Sequence, residues 1–227
     1  MTNINLYTTW FSPPSETRRK ELWEALLNNL NCFQFSKITI VYDEEPPTEI
    51  PIDLLGRLAV LIKLPRRPKF CDLLDIMRCT TTTHEICVLS NSDIGFDASI
   101  SYAENLAFDQ AICLSRWDKI DKSIDSTDRS NYRVRNNPNQ TQDSWIFKGP
   151  PSKKIKADYH FGVPGCDNKF ALDLSVAGYY VYNPCVDIKS YHYHDSEERY
   201  YSSADRLAPP YLRVPVSSLP QTSLPQK

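Results

Sequence analysis

Glycine is scarce, with six in 227 residues, and none of the six builds a phosphate-binding signature. The chain has no G-x-G-x-x-G, no G-x-x-x-x-G-K-[ST], no G-x-S-x-G and no H-E-x-x-H. These absences set aside dinucleotide oxidoreductases, P-loop NTPases, α/β-hydrolases and HExxH zinc peptidases. No apolar run approaches the roughly 20 residues that cross a bilayer, so no membrane insertion is expected. Met1-Thr2-Asn3-Ile4-Asn5 lacks the basic start and apolar stretch of a signal peptide. No two of the seven cysteines form a C-x-x-C pair, and most lie in apolar segments, where a reduced thiol behaves as a small core residue. A cytoplasmic location is the expectation. Neither sign of charge dominates: 26 basic and 28 acidic side chains leave a net charge of -2. Such a surface has no general attraction for nucleic acid or anionic lipid.

What is present is a globular composition, 41% hydrophobic and 24% charged, in a chain long enough for one domain with a full core. Ile4 to Thr8 reads as a first strand. Ser12-Pro13-Pro14-Ser15-Glu16 opens a helix whose apolar face is Leu22, Trp23, Leu26, Leu27 and Leu30. The basic run Arg18-Arg19-Lys20 lies inside that helix and reads as a solvated face. Ile38 to Tyr42 is a β-branched strand running into the acidic loop Asp43-Glu44-Glu45. Leu58 to Leu64 is a strand, Phe70, Leu73, Leu74 and Met77 mark a second helix, and Ile86 to Leu89 and Ala111 to Leu114 are further strands. Strands that are apolar throughout and alternate with helices predict an α/β sheet covered on both faces. The stretch 118–142 is polar, has no apolar periodicity and reads as a functional loop. Trp145 to Phe147 is a strand, Asp167 to Ala177 a helix capped by Gly178, and Tyr179–Tyr182 and Ile188–His194 are short strands. The Pro- and Ser-rich tail 215–227 is expected to be disordered, with residues 1–214 forming the single domain.

Four places carry residues suited to chemistry. Asp43 and Asp93 stand where strands end, and open α/β sheets bind ligands outside the carboxyl ends of their strands. Asn91-Ser92-Asp93 puts a carboxylate at a fixed sheet edge, suited to Mn²⁺ or Mg²⁺ and diphosphate oxygens; by spacing alone an Asx-turn explains it as well. Tyr191-His192-Tyr193-His194 sets two histidines on one face of a strand, as ligands or as core residues. Gly162-Val163-Pro164-Gly165-Cys166-Asp167 delivers Asp167 to a helix start, either as a cap or as a general base.

In combination these stretches resemble the GT-A-fold nucleotide-sugar glycosyltransferases, and are most similar to a small family that includes a compact transferase domain of large algal (chlorella) viruses. The segments that carry the likeness are Arg67-Pro68-Lys69-Phe70, Asn91-Ser92-Asp93-Ile94, Gln142-Asp143-Ser144-Trp145-Ile146-Phe147, Pro164-Gly165-Cys166-Asp167-Asn168 and Tyr191-His192-Tyr193-His194. They follow the family's order across roughly residues 4 to 214. The resemblance implies a GT-A-like mixed central sheet flanked by helices and a transfer of a sugar from a nucleotide diphosphate, UDP for instance, to a glycan or other hydroxyl acceptor. It implies that Asn91-Ser92-Asp93 stands at the D-x-D-like motif, with Asn91 replacing the first aspartate. Asp93 and either His192 or His194 would hold the metal; Thr8, Asp43 and Arg67 would hold the nucleoside. Asp167 would be the base of an inverting transfer, with Asp143 and Trp145 facing sugar or acceptor; Lys69 receives no role. Two other readings stand beside it: a metal-dependent nucleotidyltransferase, which favours a basic triphosphate loop near the first strand, and a non-catalytic sugar- or nucleotide-binding module.

Overall fold

The computed structural model describes residues 2–196, 198 and 201–220. Its elements in chain order are β1 (Ile4–Trp10), α1 (Glu16–Leu30), β2 (Phe35–Tyr42), β3 (Ala59–Lys63), α2 (Phe70–Thr80), β4 (Ile86–Ser90), β5 (Ile94–Phe96), β6 (Gln110–Leu114), β7 (Trp117–Lys119), β8 (Tyr132–Val134), β9 (Ser144–Lys148), α3 (Cys166–Val176), β10 (Tyr180–Tyr182) and β11 (Ser190–His192). Short 3-10 turns supplement them, the longest being Ala98–Asn105.

Seven strands form the central sheet in the order β10-β6-β9-β4-β1-β2-β3. β1 is parallel to β2 and β4, β2 to β3, and β10 to β6, while β9 runs antiparallel between β4 and β6. The sheet is therefore mixed, as the GT-A likeness implies. Its strands split their side chains with period two. Ile4 and Leu6, Ile86 and Val88, Ile112 and Leu114, and Ile146 enter one core with Leu22, Leu26 and Leu30 of α1. Tyr7, Cys87 and Leu89, Ala111 and Cys113, and Trp145 and Phe147 enter the other, with Phe70, Leu73 and Met77 of α2 and Phe170 and Leu174 of α3. Apolar residues on both faces are what a sheet covered on both sides requires. Ser15 caps α1 by accepting from the Arg18 amide, the start its sequence predicts.

A second, four-stranded sheet, β5-β11-β7-β8, lies beyond the carboxyl end of β4. Its β7 and β8 fall at the edge of and within the stretch read from sequence as a polar loop, 118–142. They were hidden because each is three residues long and pairs with distant chain, so neither shows a period. The expected disordered tail is also different where it is described. The Ser217 amide donates to the Asn183 carbonyl, the Ser217 hydroxyl accepts from the Asn183 amide, and Leu219 packs on the first core. Residues 221–227 lie outside the described residues. Among the described residues no helix is long and apolar enough to cross a membrane.

Candidate metal and nucleotide site

Chain order reverses direction at β1. The chain proceeds from β1 outward to β2 and β3, then returns to place β4 on the other side of β1. A crevice at the carboxyl ends of the strands opens at such a switch point. Here the Thr8 hydroxyl donates to the carbonyl of Ser90, its partner on β4, at 3.1 Å. Asp43 follows the end of β2, half-buried. Arg67, four residues past β3, donates to the Phe161 carbonyl at 2.6 Å. All three residues expected around a nucleoside thus stand at the same sheet edge.

Asn91, Ser92 and Asp93 leave the end of β4, and β5 begins at the next residue. β11 pairs antiparallel with β5, His192 opposite Ile94, and the Tyr193 amide extends the pairing by donating to the Asp93 carbonyl at 2.8 Å. That register sets His192 beside Asp93, and the two-residue period of an extended chain brings His194 to the same side. Asp93 Oδ2 lies 3.4 Å from His192 Nε2 and 3.7 Å from His194 Nδ1. One potential ligand atom from each of the three falls within 4.8 Å of the others. Asp93 and His192 are 9% and 7% exposed. Both histidines converge on Asp93.

The outer nitrogen of each ring is held. His192 Nδ1 lies 3.1 Å from Asp118 Oδ1 and His194 Nε2 lies 3.1 Å from the Glu198 carbonyl. Such partners fix the tautomer that turns an unprotonated nitrogen inward, as around metal-bound histidine. One carboxylate oxygen with two imidazole nitrogens is a donor set suited to a divalent transition ion. The residues present therefore fit the cation that the resemblance implies.

Charge around the triad is dense. Burial works against ionisation of Asp93, but His192 and Arg18 outweigh it and hold the carboxyl well below the usual carboxylate range. Burial and Arg116 oppose protonation of His192, and Asp93 with Asp118 raises it nonetheless. Arg18, expected on a solvated face, is 5% exposed. It donates to Asp93 Oδ2 at 2.5 Å, to Glu21 at 2.9 Å and to the Tyr193 carbonyl. Glu21 accepts in turn from the Asp195 and Ser196 amides. The correction has a simple cause: Arg18 is four residues before Leu22 and shares its buried face.

A cavity of about 490 Å³ opens beside the triad, lined by Arg116, Lys119, Lys122, His192, His194 and Asp195 among others. Asp118, Lys119 and Lys122 were missed from sequence because they sit in the featureless polar stretch, and Arg116 because it lies alone just ahead of it. Arg116 Nε donates to Asp118 at 2.8 Å, and its Nη1 lies 3.3 Å from Asp143. Asn91 is not in the triad; its Nδ2 donates to Asp143 Oδ1 at 3.0 Å, and Ser92 is the spacer between Asn91 and Asp93.

Asp167 lies in the first turn of α3, whose N-cap is Gly165 at φ 83°, without a side-chain cap bond. Asp167 is thus not the helix cap. Burial and the nearby Asp143 carboxylate push its pKa up to about 6, while backbone amides of Asn168, Asp167 and Gln142 pull it down. Trp145 is 0% exposed, packed edge-on against Phe70 and Phe170, and its Nε1 is buried without a hydrogen-bond partner.

No protein-family model and no curated protein matches the sequence. Solved structures do share its architecture. S. aureus TarS 1-349 in complex with UDP-GlcNAc superposes with a TM-score of 0.52 over 87% of this chain and 60% of that one, at 10% identity. Mannosyltransferase PcManGT from Pyrobaculum calidifontis, in complex with GDP-Man and Mn²⁺, gives a TM-score of 0.44 over 80% of this chain and 54% of that one, at 11% identity. The chain spans 60% of the length of the TarS chain it matches. At these identities the likeness is one of fold: a GT-A-like α/β domain.

Proposed function

We propose that this domain is a cation-dependent glycosyltransferase that moves a sugar from a nucleoside diphosphate to an acceptor hydroxyl with inversion. The observation that carries the reading is the convergence of Asp93, His192 and His194 beside a cavity walled by Arg116, Lys119 and Lys122. The similarity to transferase domains of large algal viruses rests on the sequence segments alone. Thr8, Asp43 and Arg67 would hold the nucleoside. Lys122, which among the described residues donates only to the Asp195 carbonyl, would meet the diphosphate, and Arg116 and Lys119 would reach it by giving up their pairs with Asp118, Asp143 and Asp195. Asp93, His192 and His194 would hold the cation, and two imidazoles favour Mn²⁺ over Mg²⁺. When bound, the cation supplies Lewis-acid neutralisation of the departing diphosphate.

Asp167 is the base in this reading. It accepts the acceptor hydroxyl's proton as the oxygen attacks the anomeric carbon and the bond to the diphosphate breaks. A carboxylate with a pKa near 6 is a better proton acceptor than an ordinary one and is still ionised at neutral pH. A nucleotidyltransferase would use free basic side chains near β1, whereas Arg18 is consumed by Asp93 and Glu21.

The test is Asp167→Asn. Transfer to an acceptor should fall by about 10²–10⁴, with nucleotide-sugar affinity within about twofold. In the wild type, the transfer rate should rise with pH through about 6 and level off above it. Linkage has the opposite sign. A carboxyl whose folded pKa is raised makes its ionised form costly, so stability is lost as pH rises through the window from the ordinary carboxylate value to about 6. Asn lacks that loss. Asp167→Asn should therefore melt higher relative to wild type at about pH 8 than at about pH 4. Transfer that survives at near wild-type rate would shift the role of base to Asp143.

A further inference from the structure

Asp195 engages both lysines of the cavity wall. Its carboxylate lies 2.6 Å from Lys119 Nζ, and its carbonyl accepts from Lys122 Nζ. The two lysines depend on it to different degrees. The Lys119 side chain is 7% exposed, so water does little for its charge and the carboxylate is what makes that ammonium tolerable inside the fold. Lys122 is exposed, and an ammonium that gives one donor to a carbonyl has others for water or a ligand.

The Asp195 backbone is fixed separately from its side chain. Glu21 Oε1 accepts from the Asp195 and Ser196 amides at 2.9 and 2.6 Å, and Glu21 Oε2 from the Ser196 hydroxyl at 3.0 Å. Glu21 is in turn held by Arg18 at 2.9 Å. The Asp195 carboxylate is 31% exposed and stands at the cavity wall. Rotation about its own side-chain bonds takes it off Lys119 and into water with none of these backbone bonds lost.

We infer that Asp195 is a stand-in for a ligand phosphate: it neutralises Lys119 between ligands, yields that ammonium to an entering diphosphate and takes it back as the diphosphate leaves. The inference rests on the transferase reading, of which it uses the diphosphate site, and deepens it. Asp195 is then a positioning residue that acts through Lys119. The ion pair on Lys119 is exchanged rather than created when a phosphate arrives, so this lysine adds less to affinity than an unpaired one would. A loose hold suits a transferase, whose nucleoside diphosphate must depart before the next donor binds, a step that often limits turnover.

The test is calorimetry in Mn²⁺ with UDP, GDP and inorganic pyrophosphate. Asp195→Asn removes the competing charge and keeps the backbone contacts to Glu21 and Lys122. It should tighten diphosphate binding about tenfold, the scale of one charge-assisted hydrogen bond. Lys119→Met should weaken binding, and in that background Asp195→Asn should change affinity by less than about twofold, because a double-mutant cycle isolates the pairwise effect. Asp195→Glu keeps the charge and should bind as wild type does. In transfer assays Asp195→Asn should lower KM and kcat together as product leaves more slowly, whereas plain structural damage would lower kcat without tightening anything. The ligand-free Asp195→Asn protein should melt below wild type, with Lys119 left unpaired, and should gain more than wild type from the diphosphate. Failure of all three ligands to bind wild type and Asp195→Asn alike overturns the transferase reading and this inference together. Where a diphosphate binds, unchanged or weaker affinity in Asp195→Asn, or equal tightening with Lys119→Met present, overturns the inference alone.

Discussion

Arg18 decides the charge balance of the candidate metal site. Its guanidinium sits 2.5 Å from the same Asp93 oxygen that faces both histidines, so it occupies from one side the atom that a cation would approach from the other. A fixed positive charge there satisfies the buried carboxylate when no cation is bound and opposes the cation when it arrives. Arg18→Gln should therefore cost the metal-free fold about 3–5 kcal/mol, the usual loss for breaking a buried pair. Mn²⁺ should restore part of it. The measurement is the Mn²⁺-induced rise in melting temperature, which should be larger in the variant than in the wild type; an equal or smaller rise would show that Arg18 does not compete. This residue was readable in principle, because positions 18, 22, 25 and 29 all fall on the buried face of α1. It was missed because two further basic residues follow it, and a basic run suggests water. Asp93, His192 and His194 were each legible as chemistry-bearing types at strand ends. Their meeting was not legible in spacing and came only from the family resemblance, because it depends on a pairing between segments about a hundred residues apart.

That pairing belongs to β5 and β11, three residues each, too short for any periodicity to announce. β5 was absent from the sequence reading, and Ile188–His194 shrinks to Ser190–His192 with an irregular start. The larger elements fared better since each carries its own signal: Ser15 capping α1, the apolar stripe of α2, the β-branched run of β2. Within β5, Gly95 stands opposite Tyr191 where the backbone meets α1 and the end of β11. A Cβ there would lie 2.7 Å from Asn28 Nδ2 and 2.7 Å from the Tyr193 ring. Asn28 cannot easily yield, because it donates to the Phe96 carbonyl and accepts from Arg129. Gly95→Ala should destabilise the fold by about 1–3 kcal/mol through overpacking. It should also loosen Mn²⁺ binding, because the strand pushed away is the one that presents His192. Manganese electron paramagnetic resonance titration would read the second effect, and an unchanged Mn²⁺ affinity would mean that the triad does not depend on this register.

At the scale of the molecule, two sheets meet at the end of β4. In the proposed site the central sheet would supply Thr8, Asp43 and Arg67 along its edge and the small sheet His192, Lys119 and Asp118; Asp93 stands on the short connection between the two sheets. Fold class and the covered sheet were legible because apolar strands alternate with amphipathic helices. The reversed strand β9 was not, since antiparallel insertion leaves no mark on a fully buried strand. A site split between two sheets should bind its ligands cooperatively: the cation joins the triad to the phosphates, and the phosphates join the cation to the cationic wall of the cavity. Ligand binding stabilises a fold by RT ln(1 + [L]/Kd), about 2.7 kcal/mol at a hundredfold excess over Kd, which for a chain of this length is a shift of roughly 5–10 °C. Mn²⁺ alone and a nucleoside diphosphate alone should each give less than this, and together more than their sum. Chelation should remove the excess, and Asp93→Ala should leave only the nucleotide's own contribution. Strictly additive shifts in the wild type would mean that cation and diphosphate do not share this site, whichever nucleotide is used.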